Sequence, residues 1–157
     1  MIINKDILKK YALNYLNRYA SSKKNLEIYL WRKIKKSGIF NKTFKSDIKN
    51  IIQELEKEKI INDEDFANSI AFNGARNGKS KKLIKYNLIK KGIEENDINN
   101  ALNNLEEEIP DYETQSAINF AKKKKLGKYG QFIEQKKDLS KMARAGFNYD
   151  IIKKVLF

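Results

Sequence analysis

The hexapeptide IKKSGI at residues 34–39 returns as LIKKGI at residues 88–93 and as MARAGF at residues 142–147. Further apolar residues recur in a short run after each copy. Each copy carries a glycine in its fifth position, and each glycine lies 54 residues after the one before: Gly38, Gly92 and Gly146. A repeat of this length indicates small helical units stacked into an array.

Almost the whole chain has apolar residues at steps of three and four, which predicts amphipathic helices. Outside the segments with helical spacing, no stretch of four or more residues alternates strictly between apolar and polar, as a half-buried strand would. The predicted helices cover residues 5–19, 23–37, 45–59, a segment starting at Asn62 and Asp63, segments around Leu88 and Leu102, and residues 112–126, 130–145 and 149–157.

These helices predict an all-α fold of three tandem three-helix repeats that form an elongated, curved helical array. The repeats are predicted at residues 1–58, 59–109 and 110–157, with Pro110 separating the second from the third because proline cannot extend a helix interior. The recurrent glycine is predicted to end the second helix of each repeat in a left-handed conformation, which a residue with a Cβ adopts only at a cost. We therefore assign Gly38, Gly92 and Gly146 a structural role.

Composition narrows the function classes. The 157 residues contain no histidine and no cysteine, so the usual general base, the commonest nucleophile and the common soft metal ligands are missing. Acidic pairs such as Asp63 and Asp65 are too close in sequence to converge on a metal and have an ordinary explanation at a helix start. We expect a non-enzymatic protein without a cofactor, and, from the absence of a membrane span or a secretion signal, a soluble cytoplasmic one.

Positive charge is the main functional indication. The chain has 33 basic and 20 acidic residues, a net charge of +13, and a polyanion is the usual partner of such a surface. Part of the lysine excess also fits compositional drift, because asparagine and isoleucine are enriched as well. The segment from Arg76 to Lys91 contains seven basic residues and no acidic one.

Two clusters, Ser22-Lys23-Lys24 and Ser80-Lys81-Lys82, place cations at helix starts, where the helix dipole disfavours them. This repeated local cost suggests a contact function, although a solvated lysine face is the alternative. The candidate contact residues are Arg18, Lys23, Lys24, Arg32, Arg76, Lys79, Lys81, Lys82, Lys85, Lys123, Lys124, Lys136, Lys137 and Arg144.

Four aromatic residues have two interpretations. Trp31, Tyr29, Tyr86 and Tyr129 are able to stack on the bases of a single-stranded nucleic acid. Aromatic residues at helical spacing more often belong to a core, and this second interpretation is the one we prefer for all four.

The arrangement of these segments resembles a known family. Asn62-Asp63-Glu64-Asp65-Phe66-Ala67, followed by Arg76, Gly78, Leu88 and Lys91-Gly92-Ile93, is similar to the central repeat of the RecX family, bacterial regulators of the RecA recombinase. Residues 139–152 look like the closing repeat of that family, and Ala12, Arg18, Ser22, Leu26 and Leu30 look like its opening repeat. The resemblance covers essentially the whole chain.

The resemblance implies a monomeric regulator that lies in the groove of the RecA filament on single-stranded or double-stranded DNA. It implies that the protein restrains the recombinase, ATPase and co-protease activities of RecA in DNA repair and the SOS response. Two alternatives stay open: a helical protein that binds DNA or RNA directly, and a helical adaptor for a different protein.

Overall fold

The computed structural model describes residues 2–131 and 134–157. Over these residues the chain has nine α-helices, one short 3-10 turn and no strand, which confirms the all-α prediction. The helices are α1 (Lys5–Arg18), α2 (Lys23–Ser37), α3 (Phe44–Lys57), α4 (Asp63–Arg76), α5 (Lys81–Lys90), α6 (Glu95–Glu108), α7 (Tyr112–Lys124), α8 (Gln135–Arg144) and α9 (Tyr149–Leu156).

The largest departure from the predicted boundaries lies before α8. The sequence predicts a helix over residues 130–145, whereas α8 begins at Gln135 and the 3-10 turn Gly127–Tyr129 occupies part of the connection. Lys125 has a φ of +56° and ends α7, and the 3-10 turn begins two residues later at Gly127. Residues 132 and 133 of the predicted helix lie outside the described residues.

The chain forms two compact units. The first runs to Phe66 and includes Lys91–Ile93. Helices α1, α2 and α3 pack on one another in this unit. Their apolar stripes meet in a core whose fully buried members include Leu8, Leu26 and Leu55.

The second unit comprises Ala67–Lys90 and Glu94–Phe157. Within it α5 packs on α6, while α7, α8 and α9 pack on one another. The core of this last group is formed by Ala117, Met142 and Ile152 with their neighbours. Apolar burial of this kind is the main stabilising contribution in both units.

The ends of the helices follow the local chemistry of the sequence. Gly38, Gly92 and Gly146 have φ angles of +71°, +73° and +99°, the left-handed conformation that the repeat predicts. After Gly146 the amide of Phe147 donates to the Met142 carbonyl at 3.3 Å, a hydrogen bond typical of a left-handed helix end. Phe147 is buried, so the chain turns back onto its own unit.

Three residues other than glycine also have a left-handed conformation, which was not predicted: Lys59, Asp111 and Lys125 have φ angles of +59°, +58° and +56°. Lys59 and Lys125 lie just after α3 and α7. There the amides of Ile60 and Leu126 both donate at 2.9 Å to carbonyls of the last helical turn. Lysine thus takes the position that glycine takes after α2, α5 and α8.

No helix in the described part of the chain is long and apolar enough to cross a membrane.

Candidate interaction surface

The start of α2 is fixed by a buried serine. The amide of Asn25 donates to Ser22 Oγ at 3.1 Å, and the Ser22 hydroxyl donates to the Lys91 carbonyl at 2.6 Å. Beside it, the amide of Lys23 donates to a carboxylate oxygen of Asp63 at 2.9 Å. Both polar side chains are buried, and each is satisfied through these bonds.

The start of α5 repeats this arrangement in the second unit. The amide of Leu83 donates to Ser80 Oγ at 3.1 Å, and the Ser80 hydroxyl donates to the Ala145 carbonyl at 2.7 Å. The backbone of Lys81 forms a hydrogen bond with the carboxylate of Glu113. Burial raises the pKa of Glu113 above its ordinary value, and the Lys81 amide and the Lys81 charge oppose that change.

These hydrogen bonds explain how lysines are tolerated at helix starts, where the helix dipole disfavours positive charge. A carboxylate lies beside the first amide of each helix and balances the dipole, so Lys23 and Lys81 need no functional explanation on that ground. The Lys23 ammonium also forms an ion pair with Glu56 at 2.7 Å. At the predicted start of α4, Asp63 bonds to the α2 backbone, while Asn62 Oδ1 caps α4 by accepting from the Asp65 amide at 3.1 Å.

The outward face of α2 carries cationic and apolar side chains together. Lys24, Ile28, Trp31 and Arg32 are all exposed, and their spacing of four, three and one residues places them on one face of the helix. Trp31 is 36% exposed although its ring is the largest in the chain. We call these four residues the α2 stripe.

The outward face of α5 has the same pattern at equivalent positions, counted from Ser22 and Ser80. Lys82, Tyr86, Ile89 and Lys90 are exposed, with Tyr86 and Ile89 each 56% accessible. The Lys90 ammonium lies 5.5 Å from the centre of the Tyr86 ring, in reach of a cation–π interaction. We call these four residues the α5 stripe.

The preference for core positions was wrong for two of the four aromatic residues. Trp31 and Tyr86 lie on the surface in the stripes. Tyr29 and Tyr129 are partly buried and pack against the cores of their units, as predicted. Ile28 and Ile89 were not singled out at all, and alignment of the chain on its two buried serines would have revealed them.

The remaining basic candidates are distributed along the described surface. Lys85 is exposed on α5 beside the α5 stripe, and Lys79 is partly buried just before that helix. Lys137 forms an ion pair with Glu134 at 3.4 Å, and Lys24 forms one with Glu27 at 3.5 Å. The others are exposed at helix ends: Arg18 on α1, Arg76 on α4, Lys123 and Lys124 on α7, and Lys136 and Arg144 on α8.

The described residues contain no group of three or more acidic side chains arranged to hold a metal ion. What they present instead is exposed aromatic, aliphatic and cationic side chains on regular helices. Tryptophan, tyrosine and arginine are the residues that contribute most often to protein interfaces. The fold and these surfaces thus define a helical protein of the binding class.

Comparison with known proteins identifies the family. Residues 62–102 match the family model for the second three-helix domain of RecX. Regulatory protein RecX of Myxococcus xanthus (strain DK1622) is 30% identical over 158 residues, covering 95% of this chain and 83% of that protein. Regulatory protein RecX of Clostridioides difficile (strain 630) is 32% identical over 151 residues, covering 94% of this chain and 66% of that protein.

Solved structures agree with this assignment. The crystal structure of RecX from Lactobacillus salivarius superposes with a TM-score of 0.72 at 27% identity, covering 96% of this chain and 93% of that one. A second crystal structure of a regulatory protein RecX, at 20% identity and a TM-score of 0.73, shares the fold over 96% of this chain and 72% of that one. The chain belongs to the RecX family of regulatory proteins, which are not enzymes.

Proposed function

We propose that this protein binds the RecA filament on DNA and lowers the recombinase, ATPase and co-protease activities of RecA. The family supports the choice of partner, since the relatives are regulatory proteins named RecX. A regulator of this kind requires an exposed binding surface. The α2 and α5 stripes supply one on each of the two compact units.

The observation that carries the proposal is the recurrence of one surface pattern at equivalent positions of two helices. A filament offers the same subunit surface again and again, so a protein with repeated surfaces is able to contact successive subunits. Once the first contact has formed, the second occurs at a high effective concentration, which strengthens binding without any new kind of contact.

The finer parts of the proposal follow the sequence analysis. The protein acts in the cytoplasm as a monomer built from three repeats, at residues 1–58, 59–109 and 110–157. Its basic side chains contact single-stranded or double-stranded DNA within the filament. Matching residues 62–102 to a single three-helix domain supports the middle repeat.

The direct test measures ATP hydrolysis by RecA on single-stranded DNA while this protein is added. We expect hydrolysis to fall when fewer regulators than RecA subunits are present, because interruption at one point affects many subunits. An unchanged rate at an excess of the protein contradicts the proposal and favours an adaptor for a different protein. A raised rate keeps RecA as the partner and contradicts inhibition.

A matched pair of charge variants tests the surface. Lys82→Glu with Lys85→Glu reverses two exposed charges on α5, whereas Lys45→Glu with Lys49→Glu reverses two exposed charges on α3. We expect the α5 variant to bind RecA-coated DNA about tenfold more weakly, since charges at an interface act on encounter and affinity. Equal binding of the two variants contradicts a role for α5.

A further inference from the structure

A groove lined by tyrosines runs along α1 and α2 in the first unit. Its volume is about 590 Å³. One side is formed by Tyr11, Tyr15 and Tyr19, which follow one another at steps of four residues and so share a face of α1 and its end. Tyr29 and Lys33 of α2 form the other side. The stripes described above do not include any of these residues.

Three of these rings lie side by side, two of them packed against the core and the third exposed. The Tyr15 and Tyr29 rings are stacked, with centroids 4.2 Å apart and planes at 20°. The Tyr19 ring follows at 5.3 Å from Tyr15, tilted by 45°. Tyr15 and Tyr29 pack partly against the core, which explains their presence, but Tyr19 is 58% exposed and its burial contributes little to the fold. An exposed ring beside two stacked rings is a platform on which a further flat ring is able to stack.

The charge along the groove is positive. Arg18 and Lys33 line it, and no carboxylate is among its lining residues. The Lys33 ammonium lies 5.1 Å from the centre of the Tyr11 ring and 5.5 Å from that of Tyr29. Within the described part of the chain Lys33 forms no ion pair, so its charge is available to an anion.

A second groove of about 320 Å³ shares Tyr11 and Lys33 with the first. It adds Lys36 and Ser37, again without a carboxylate. The two grooves adjoin at Tyr11 and Lys33, and between them they present the exposed Tyr19 ring and the cations Arg18, Lys33 and Lys36. Aromatic rings together with cations suit a chain that alternates flat bases with phosphates.

Chemistry distinguishes this ligand from simpler anions. A free phosphate would contact the cations and not the tyrosine rings, and an acidic peptide would contact the rings only where it also carries aromatic side chains. A nucleic-acid strand with unpaired bases uses both, because every base has a face that stacks on an aromatic ring. The amides of Asn14 and Asn17, which also line the first groove, offer both donors and acceptors to base edges.

We propose that this tyrosine groove binds an unpaired stretch of nucleic acid, with a base stacked on Tyr19 and phosphates held by Arg18, Lys33 and Lys36. The proposal concerns direct binding and does not rest on the RecA role proposed above. A test without RecA therefore lets the two proposals fail separately.

The test measures binding of fluorescent 12-residue oligonucleotides to the full chain by anisotropy. The probes are oligo-dT, oligo-rU and a strand of the same length with abasic sites. Tyr19→Ala is expected to weaken binding of the base-containing strands about tenfold, the loss typical of one stacked base. Lys33→Gln should weaken all three probes and lower the salt dependence.

Tyr149→Ala is the matched control, because Tyr149 is 57% exposed and lies under the Lys153 ammonium at 5.3 Å. This variant should change affinity by less than about twofold, because Tyr149 lies outside the groove. Tighter binding of oligo-dT identifies DNA as the ligand and tighter binding of oligo-rU identifies RNA; either supports the proposal. Equal affinity for the abasic strand, or equal loss in the Tyr19 and Tyr149 variants, overturns it.

A second measurement uses the unmodified protein and is independent of how the variants fold. Oligonucleotides that carry 5-bromouracil form photochemical crosslinks to adjacent aromatic side chains. We expect the crosslinked peptide to contain Tyr19. Crosslinks only to peptides outside the two grooves contradict the assignment.

Discussion

Helices α5 and α8 both end at a left-handed glycine twelve residues after their N-cap, Gly92 after Ser80 and Gly146 after Glu134, yet they begin in opposite ways. Ser80 is fully buried and bonds to two backbone groups. Glu134 is exposed, and its side chain accepts no capping bond. The N-cap residue is therefore packed into the structure at α5 but not at α8.

The outward faces of the two helices differ as well. Where α5 exposes Tyr86 and Ile89, α8 exposes Ser140 and Ala143. Each face has two cations at equivalent positions, which are Lys82 and Lys90 on α5 and Lys136 and Arg144 on α8. The two helices therefore differ in one property. Both present positive charge, but of the two only α5 also presents exposed apolar area.

The largest loss of stability is expected from a substitution at the end of α8, where that helix contacts the start of α5. A Cβ at Gly146 would lie 2.5 Å from Ser80 Oγ, at a φ of +99° that disfavours any side chain. Gly146→Ala should cost about 3 kcal/mol, as backbone strain and overpacking combine. Gly38→Ala has a similar φ of +71° but open space around the Cβ, so it should cost only about 1–2 kcal/mol.

Urea unfolding of both variants measures this difference, and equal losses contradict the contact. Adding Ser80→Ala to Gly146→Ala sharpens the test, because it removes the atom that the new methyl group meets. The double variant should lose less stability than the sum of the two single variants.

A smaller loss of stability is expected at the start of α5, and almost none at the start of α8. Ser80→Ala removes the acceptor for the Leu83 amide and the donor for the Ala145 carbonyl. The loss should be about 1–3 kcal/mol, since a buried group is left unsatisfied. Glu134→Ala, at the equivalent exposed position, should change stability by less than about 0.5 kcal/mol. Similar losses for the two variants would show that the buried serine has no special role.

The smallest effect concerns the pH dependence of stability. The pKa of Glu113 is raised by burial, so its contribution to stability is complete below the pKa of the unfolded chain and is lost as pH rises through the folded pKa. Glu113→Gln keeps an oxygen acceptor for the Lys81 amide and cannot ionise. Its stability relative to the unmodified protein should therefore increase between about pH 4.5 and pH 7.

Glu54 provides the control of opposite sign. Hydrogen bonds and charges from Lys9 and Lys5, at 3.2 and 3.4 Å, lower the pKa of Glu54. Its contribution is present above the unfolded pKa and is lost as pH falls through the folded pKa. Glu54→Gln should therefore become less stable, relative to the unmodified protein, as pH rises toward about pH 4.5, and the difference should stay nearly constant above it. Identical trends for both variants contradict the assigned causes.

The helices and their glycine ends were predictable because local patterns determine them. Apolar residues at steps of three and four define each helix. Gly38, Gly92 and Gly146 have the left-handed conformation that glycine favours, so the residue type alone indicates these helix ends. Residues Lys59 and Lys125 take the same conformation without any such signal, so the sequence gives no warning of them.

The surfaces were less predictable because exposure depends on what lies opposite a residue. Tyr11 and Tyr15 are partly buried against the core, whereas Tyr19, at the same spacing of four residues, is exposed. Trp31 and Tyr86 have helical spacing too, but neither faces a core. The bond between Asp63 and the Lys23 amide joins positions 40 residues apart, a relation that no local pattern reveals.

Binding to the RecA filament on single-stranded DNA tests the central claim that apolar contact on α5 adds to charge. Tyr86→Ala with Ile89→Ala removes apolar area from the α5 stripe, and Lys136→Ala with Arg144→Ala removes only charge from α8. We predict that affinity falls about 30-fold for the first pair, as for the loss of a central interface contact, and less than about threefold for the second. An equal loss for both pairs, or a larger loss for the α8 pair, would contradict the account.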